Sequence, residues 1–266
     1  MAAVNPLRMF NELWQQRYLL GQLIKRDVLL RYRGAMFGVL WVFLSPLFML
    51  AVFAYVFGGV FQARWPVQSD VPYWLLLYAG LITFNLFAET VGRAPASVRS
   101  YPSYVKKIIF PMQILPVVPL GAALVHGLFN YLILVTALAL SGHFHWQIVL
   151  FPVLLLPVLL LALGLAWFVG AWGVFIKDMT QIIPMFVQIL MFVSPVFYPV
   201  DAVPALLRPL YHVNPLGVVI EANRALASGL PVAWSAWAWA LLAGLTVALL
   251  GQAFFRHARE EFADAL

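Results

Sequence analysis

Six long apolar runs, separated by short polar stretches, dominate this sequence. The interval from Ile108 to Ile176 contains no Asp, Glu, Lys or Arg, and only the Ser-Gly-His-Phe-His stretch at 141–145 breaks it. About 20 apolar residues already cross a bilayer core of ~30 Å, so this interval predicts two spans joined by a turn. The chain is 64% hydrophobic and 10% charged, whereas about 25% of residues are charged in soluble domains. We therefore expect an all-α polytopic membrane protein that forms a single transmembrane domain, 1–266.

Charge distribution orients the six predicted spans. Placing both termini in the cytoplasm puts thirteen of the 16 Lys and Arg residues inside. Only Arg64, Arg208 and Arg224 then lie outside, and cytoplasmic loops are the ones that carry an excess of basic residues. The net charge of +6 is therefore attributed to anionic lipid and cytoplasmic partners, and not to nucleic acid. The spans are placed at 36–61, 73–92, 113–140, 148–175, 182–198 and 233–255.

The range 6–34 combines an amphipathic helix with a basic segment. Apolar residues recur at intervals of three and four within 6–20, which predicts a helix lying in the cytoplasmic interface. Arg31 and Arg33 belong to a basic cluster just before the first span, where cations commonly set orientation. Asp27 stands among these cations, which suggests a salt bridge or a docking contact.

Two polar pairs interrupt the apolar runs. Glu89 and Arg93 have i,i+4 spacing at the end of the second span, which predicts an ion pair near the cytoplasmic boundary. A carboxylate in a span is costly and a functional candidate, but the partner and the edge position favour a structural role. His126 and Asn130, in the third span, are expected to hydrogen-bond with each other or with another helix.

The connection at 199–230 is predicted to lie outside, yet it is too apolar for a free loop. It carries several prolines, and Glu221 and Arg224 fall on one helical face at i,i+3. This pattern predicts two short helices that enter the bilayer and return. Irregular backbone at membrane depth survives only when it is buried in protein or lines a cavity. The segment is therefore expected at the outer mouth of a pathway.

Chemistry-bearing motifs are missing from the sequence. There is no G-x-x-x-x-G-K-[ST], no G-x-S-x-G, no H-E-x-x-H and no cysteine. His143 and His145 flank one residue of a turn, with no third ligand nearby, so a solvated loop is expected there. The centres of the predicted spans lack acids, which argues against proton coupling. We expect no catalytic residue, metal site or cofactor on this chain, and an energy source outside it.

Five segments carry a family resemblance, and they are RYRGAMFGVLWVFLSPL, VKKIIFPMQILPV, FIKDMTQIIP, FVSPVFYPVDAVP and YHVNPLGVVIEANRAL. Together they resemble the membrane subunit of ABC exporters for cell-surface polysaccharides, the group that exports O-antigen, capsule and teichoic acid. The Lys-Lys-x-x-Phe-Pro element and the terminal REEFADAL look closest to O-antigen permeases.

This resemblance implies a homodimer in the bacterial inner membrane, with each copy bound to a cytoplasmic ATPase subunit that holds ATP and Mg. The substrate would be a polyprenyl-diphosphate-linked glycan that moves between the two copies to the periplasm. Segments 99–112 and 177–181 would be ATPase-coupling elements, and 199–230 the periplasmic gate helices. The coupling residues implied are Tyr104, Lys106, Lys107, Phe110, Pro111, Lys177, Asp178 and Gln181, and the gate residues are Asn214, Pro215, Glu221 and Arg224.

Substrate contacts are predicted on the same basis. Arg31 and Arg33 would receive the lipid diphosphate at the cytoplasmic mouth. Aromatic faces suit sugar C–H surfaces, and a long glycan needs weak binding at many sites. Ser-Pro pairs in the first and fifth spans are expected to kink those helices. The predicted lining residues are Phe43, Phe84, Phe87, Phe192 and Tyr198.

Other functions share parts of this pattern. A capsule or teichoic-acid permease, or a drug or lipid ABC exporter permease, would have the same spans. An ion-coupled secondary carrier would be active without an ATPase. A polyprenyl-dependent transferase would require clustered Asp, Glu or His on one face, which the sequence lacks. A structural scaffold would leave the outer connection unexplained.

Overall fold

The chain is described by a computed structural model over residues 6–62, 69–101 and 110–262. Within these ranges it consists of helices and turns without a strand, so the all-α prediction is confirmed for this part of the chain. In chain order the α-helices are α1 (Pro6–Gln15), α2 (Arg17–Arg31), α3 (Trp41–Phe53), α4 (Tyr73–Ser97), α5 (Val117–Leu140), α6 (Phe151–Leu154), α7 (Leu156–Phe175), α8 (Met179–Val193), α9 (Arg208–Val213), α10 (Pro215–Ala227) and α11 (Trp234–Ala258).

Five helical stretches in the described residues are long and apolar enough to cross a membrane. Each overlaps a predicted span, and the largest differences are at two C-terminal ends, where α4 continues to Ser97 and the last stretch to Glu261. Glu89 therefore lies about two turns before the end of α4. The stretches are Gly38–Val60, Tyr73–Ser97, Met112–Leu140, Trp146–Phe175 and Trp234–Glu261.

The predicted fifth span, 182–198, is shorter than expected, and six spans are therefore not confirmed. α8 has 15 residues, or about 22 Å of helix, against a hydrocarbon core of ~30 Å. It ends because Ser194 adopts an extended backbone (φ −85°, ψ 153°) and Pro195 has no N–H to continue the helix. This Ser-Pro pair terminates a helix, contrary to the predicted kink, whereas Pro46 does lie inside α3.

α4 is the central helix of the bundle. It packs against α5, α7, α8 and α10, and most of its residues from Leu75 to Phe87 are buried. Its burial follows from its neighbours and not from hydropathy alone, since the more apolar stretch Gly38–Val60 is largely exposed. Because α4 touches so many elements, its few polar residues can connect distant parts of the chain.

α7 and α11 form the closest helix pair, because glycines let their backbones approach. A Cβ on Gly164 would overlap the carbonyl of Val247, and one on Gly251 would overlap the backbone of Gly164 itself. Small residues allow this approach in membrane helices, where van der Waals packing is a main source of association.

Replacing Gly164 with Ala should therefore destabilise the bundle by about 1–3 kcal/mol, because the added methyl group forces the two backbones apart. Thermal unfolding of the purified protein in detergent would measure this as a lower Tm. Gly92→Ala is the matched control, since Gly92 lies in a spanning helix with no atom near its Cβ position. Equal Tm values for the two variants would contradict the packing account.

α1 is fastened to the rest of the bundle by one carboxylate. Glu12 accepts a hydrogen bond from Nε2 of Gln113 at 2.9 Å and pairs with Arg256 at the end of α11. Gln113 in turn accepts a bond at its backbone carbonyl from the Trp167 indole N–H (2.8 Å). The predicted interface helix is thus tied to three other elements.

Candidate functional site

A network of charged residues connects α2, α4 and α5 at the predicted cytoplasmic end of the bundle. We call it the ion network, and it consists of Asp27, Arg31, Glu89, Arg93 and His126. α2 supplies the first two residues, α4 the next two and α5 the histidine.

Glu89 is the centre of this network. Its Oε1 lies 2.8 Å from Arg31 Nη1 and 3.4 Å from Arg93 Nη1, which confirms the predicted i,i+4 pair. Its Oε2 lies 2.9 Å from His126 Nδ1. Arg93 also reaches Asp27 at 2.7 Å, so Asp27 forms the salt bridge that the sequence suggested. A largely buried carboxylate is tolerated because it is paired on several sides.

The His126 ring contacts residues of two other helices. Its Nδ1 lies 2.9 Å from the Glu89 carboxylate and also 2.9 Å from Arg31 Nη1, so the histidine touches both members of that ion pair. The other nitrogen, Nε2, lies 3.2 Å from the Tyr32 hydroxyl. Asn130 donates from Nδ2 to the His126 backbone carbonyl at 2.7 Å and accepts from Tyr78 at 2.9 Å. The predicted His126–Asn130 hydrogen bond is thus present through the backbone.

A cavity of about 370 Å³ lies above the ion network, between α3, α4 and α5. Its floor is charged, with Arg31, Glu89 and His126, and its walls are mostly apolar, although Ser45 and Asn85 also line them. Met49 on one wall is 52% exposed, so the cavity reaches the surface of the chain. The arrangement suits an amphiphile with a charged head and an apolar tail.

Arg33 occupies a different place from Arg31. It lines a groove of about 520 Å³ with Lys25 and Arg26, on the side of α2 that faces away from the ion network. Arg26 also stacks on the Tyr101 ring at 5.6 Å. The two predicted entry arginines thus belong to two neighbouring sites.

Arg224 anchors the segment 199–230 to the bundle, and we call it the outer segment after its predicted location. Its guanidinium is 3% exposed and donates to the backbone carbonyls of Leu76 (3.2 Å), Pro195 (2.6 Å) and Val196. Glu221 pairs with it at 2.9 Å, as predicted from their spacing. Burial raises the pKa of Glu221 above its ordinary value, and the positive charge of Arg224 opposes that shift.

Further polar contacts join the outer segment to α4 and to the residues after α8. Asn223 donates to the Thr83 hydroxyl at 2.8 Å, and Tyr73 donates to the Phe197 carbonyl at 2.5 Å. Asn214 and Pro215, predicted as gate residues, begin α10, where the Asn214 side chain accepts from the Leu216 N–H at 3.1 Å. This is the N-cap arrangement with Pro at the first helical position.

The predicted coupling residues fall into two groups. Lys177, Asp178 and Gln181 are exposed in the short turn between α7 and the start of α8. Phe110 and Pro111 are half-buried before α5. The turn lies near the end of α4, because Arg99 donates to the Val174 carbonyl at 2.5 Å. The remaining three, Tyr104, Lys106 and Lys107, lie outside the described residues.

Two of the five aromatic lining predictions do not fit this conformation. Phe84 and Phe87 are 2% and 3% exposed, because α4 is the core helix and its residues pack within the chain. Phe43 and Phe192 are exposed on α3 and at the end of α8. Tyr198 is half-buried, with its hydroxyl 2.9 Å from that of Tyr211.

The sequence did not reveal the contacts between helices. Arg31, Glu89 and His126 were each singled out, but no spacing rule pairs residues 58 or 95 positions apart. Asn223 and Thr83 were not singled out from the sequence. Among the residues that the structure describes, no group of three or more His, Asp or Glu side chains is placed to hold a metal ion.

The fold and the site together define a polytopic helical membrane protein with an ion network that joins three of its helices. The chain belongs to the ABC-2 type transporter family of membrane proteins, whose family model matches residues 18–228.

Three relatives are similar over most of their length. The O-antigen export system permease protein RfbA of Myxococcus xanthus is 30% identical over 98% of this chain and 100% of its own. A protein of the same name from Klebsiella pneumoniae is 21% identical over 93% and 95%. The polysialic acid transport protein KpsM of Escherichia coli is 24% identical over 79% and 81%.

Replacing Arg224 with Gln should destabilise the protein by about 3–5 kcal/mol, because it leaves Glu221 and three carbonyls without their buried partner. Hydrogen exchange of the α10 amides should accelerate, and the Tm should fall. Arg208→Gln is the matched control, since Arg208 bonds only to carbonyls of its own loop, those of Asp201 and Val203. Unchanged exchange in α10 for the Arg224 variant would refute the anchoring role.

Proposed function

We propose that this chain is the channel-forming subunit of an ATP-driven exporter that moves a polyprenyl-diphosphate-linked polysaccharide, most specifically O-antigen, from cytoplasm to periplasm. The observation that carries the proposal is the 30% identity, over nearly the whole of both chains, to a permease named for O-antigen export. Because the sequence has no nucleotide-binding loop, ATP and Mg are assigned to a separate cytoplasmic subunit, two copies of which would serve a dimer of this chain.

Exposed apolar faces support the homodimer. α3 and α8 present aromatic side chains to the surface, among them Phe43, Phe48, Phe186 and Phe192, each at least 44% exposed. A pathway for a long glycan needs walls on all sides, and one copy of this bundle supplies only part of them. Two copies facing each other through α3 and α8 would enclose a channel whose lining includes Phe43, Phe192 and Tyr198.

A physical route connects the proposed ATPase-docking surface with the outer segment. The turn at Lys177 and Asp178 directly precedes α8, so force on the turn acts along that helix. At its other end, α8 leads into Pro195 and Val196, whose carbonyls bind Arg224 of α10. In the proposed mechanism, ATP-driven closure of the partner moves the turn, and α8 transmits this movement to the gate.

A capsule permease is the second candidate function, because the polysialic acid transport protein matches 79% of this chain. Both candidates use the same architecture, and they differ only in the glycan. A drug exporter, an ion-coupled carrier and a membrane enzyme have no comparable support from the relatives.

Purification of the full chain from its native membrane in mild detergent tests the proposal. We expect a stoichiometric cytoplasmic ATPase subunit and a bound polyprenyl glycan, identified by mass spectrometry, and the glycan would distinguish O-antigen from capsule. Recovery of the chain alone, with transport in liposomes under an ion gradient, would instead establish a secondary carrier.

Replacing both Arg31 and Arg33 with Gln should impair export while leaving ATPase assembly intact, because each of the two neighbouring entry sites loses a cation for the lipid diphosphate. Surface polysaccharide on cells and co-purification of the ATPase would measure the two effects. Arg17→Gln is the control, since Arg17 is a cation of the same helix whose side chain contacts only Trp14 in the described structure. Normal export by the double variant would contradict the entry role.

A further inference from the structure

Arg31 joins the ion network through Glu89 and His126, and its guanidinium can be reached from the cavity. The Arg31 side chain is 38% exposed, and that of Glu89 is 16% exposed. Both lie on the floor of the cavity between α3, α4 and α5. A ligand that enters the cavity therefore meets the guanidinium first.

Glu89 does not depend on Arg31 for its charge compensation. It is also 2.9 Å from His126 Nδ1 and 3.4 Å from Arg93 Nη1. If Arg31 leaves, these two partners still hold the carboxylate, so the high cost of a buried unpaired charge does not arise. Arg93 likewise keeps Asp27 at 2.7 Å. The network is thus able to lose one member without breaking.

Arg31 is placed where the chain can move. It is the last residue of α2, and the turn after it contains Gly34 at φ +86°, a left-handed conformation that glycine adopts without strain. The neighbouring Tyr32 lies 3.2 Å from His126 Nε2 and packs edge-on against that ring. Release of Arg31 would loosen the last turn of α2, while Asp27 keeps its ion pair with Arg93 and the helices of the bundle keep their packing.

We infer that the Arg31–Glu89 contact is a displaceable ion pair: the phosphate of a lipid entering the cavity replaces the Glu89 carboxylate on Arg31 and releases the end of α2. Arginine suits this exchange because its planar guanidinium binds carboxylate and phosphate with the same bidentate geometry. The apolar walls, with Trp41, Met49 and Phe53, would hold the first part of the tail. The choice of a lipid diphosphate as the ligand rests on the proposed function.

Native mass spectrometry of the full chain, with its co-purifying subunits in non-ionic detergent, would test this exchange. Undecaprenyl diphosphate and phosphatidylglycerol are titrated separately, because one represents the proposed substrate and the other the surrounding bilayer. The variants are Arg31→Gln, Glu89→Gln and the remote control Arg17→Gln.

We expect Arg31→Gln to bind undecaprenyl diphosphate about tenfold more weakly, since a charge-assisted contact is lost. Glu89→Gln should bind it about fivefold more tightly, because the competing carboxylate is gone. Arg17→Gln should match the wild type. Tighter binding after loss of an acid is the distinctive result, since a purely structural pair predicts weaker or unchanged binding. That second outcome would overturn the inference.

If Glu89→Gln does not fold, Glu89→Asp tests the same point, because the shorter carboxylate keeps its charge near Arg93 while it retreats from Arg31. Tighter binding than in the wild type would support the exchange, and equal or weaker binding would refute it. Phosphatidylglycerol could show the same changes in binding across the variants as undecaprenyl diphosphate does. That result would support the ion-pair exchange, with the bilayer as the source of phosphate. Co-purification of the ATPase does not depend on these binding results. The ion-pair exchange can therefore be refuted while the proposed export function is still tested separately.

A distance measurement adds a readout that binding alone does not give. The chain has no cysteine, so Leu30→Cys on α2 and Leu128→Cys on α5 provide unique labelling sites. Both side chains are exposed and neither lines the cavity. The distance between the two spin labels should lengthen when undecaprenyl diphosphate is added. In the Glu89→Gln background the distance should be equally long without added lipid. Distances that do not respond to the lipid would contradict the release of α2.

Discussion

Polar groups within a hydrocarbon layer must find their partners in the protein, and α4 is where this chain satisfies that requirement. At one end of the helix, Glu89 and Arg93 gather α2 and α5. At the other end, the Leu76 carbonyl and the Thr83 hydroxyl receive Arg224 and Asn223 from α10. Since unpaired charges and donors are costly in lipid, these contacts fix the positions of both candidate sites relative to the core helix.

The same requirement explains why arginine occupies both sites. Arg224 serves three carbonyls and one carboxylate from a buried position, which needs several donors in a fixed planar arrangement. A lysine ammonium is a point charge with three rotatable donors, and it would leave part of this set unpaired. The outer segment is therefore held to the bundle by directional bonds, whereas α7 and α11 are held by the close approach of glycine-bearing backbones.

The sequence was sufficient for the features that depend on local spacing. Hydropathy located five of the six predicted spans, and the i,i+3 and i,i+4 rules found Glu221–Arg224 and Glu89–Arg93. It was insufficient where the answer depends on which helices are neighbours. Phe84 and Phe87 were predicted to line a pathway, but an apolar helix carries no signal that separates a core position from a lining one. Ser194-Pro195 was predicted to kink a helix, but it ends α8, whereas Ser45-Pro46 lies inside α3. The dipeptide alone does not distinguish these two outcomes.

A fixed ion pair differs from an exchangeable one in two respects: how exposed the arginine is, and how many other partners its carboxylate has. Arg224 is 3% exposed, and its loss would leave carbonyls of two different elements without a donor. Arg31 is 38% exposed in its side chain, lies at a helix end, and pairs with a carboxylate that has two other partners. An anion that binds Arg224 must be fully desolvated in the protein interior. An anion that binds Arg31 only replaces an existing carboxylate at a partly exposed position. For this physical reason the buried pair suits the anchoring of the outer segment, and the half-exposed pair suits the reception of a charged lipid.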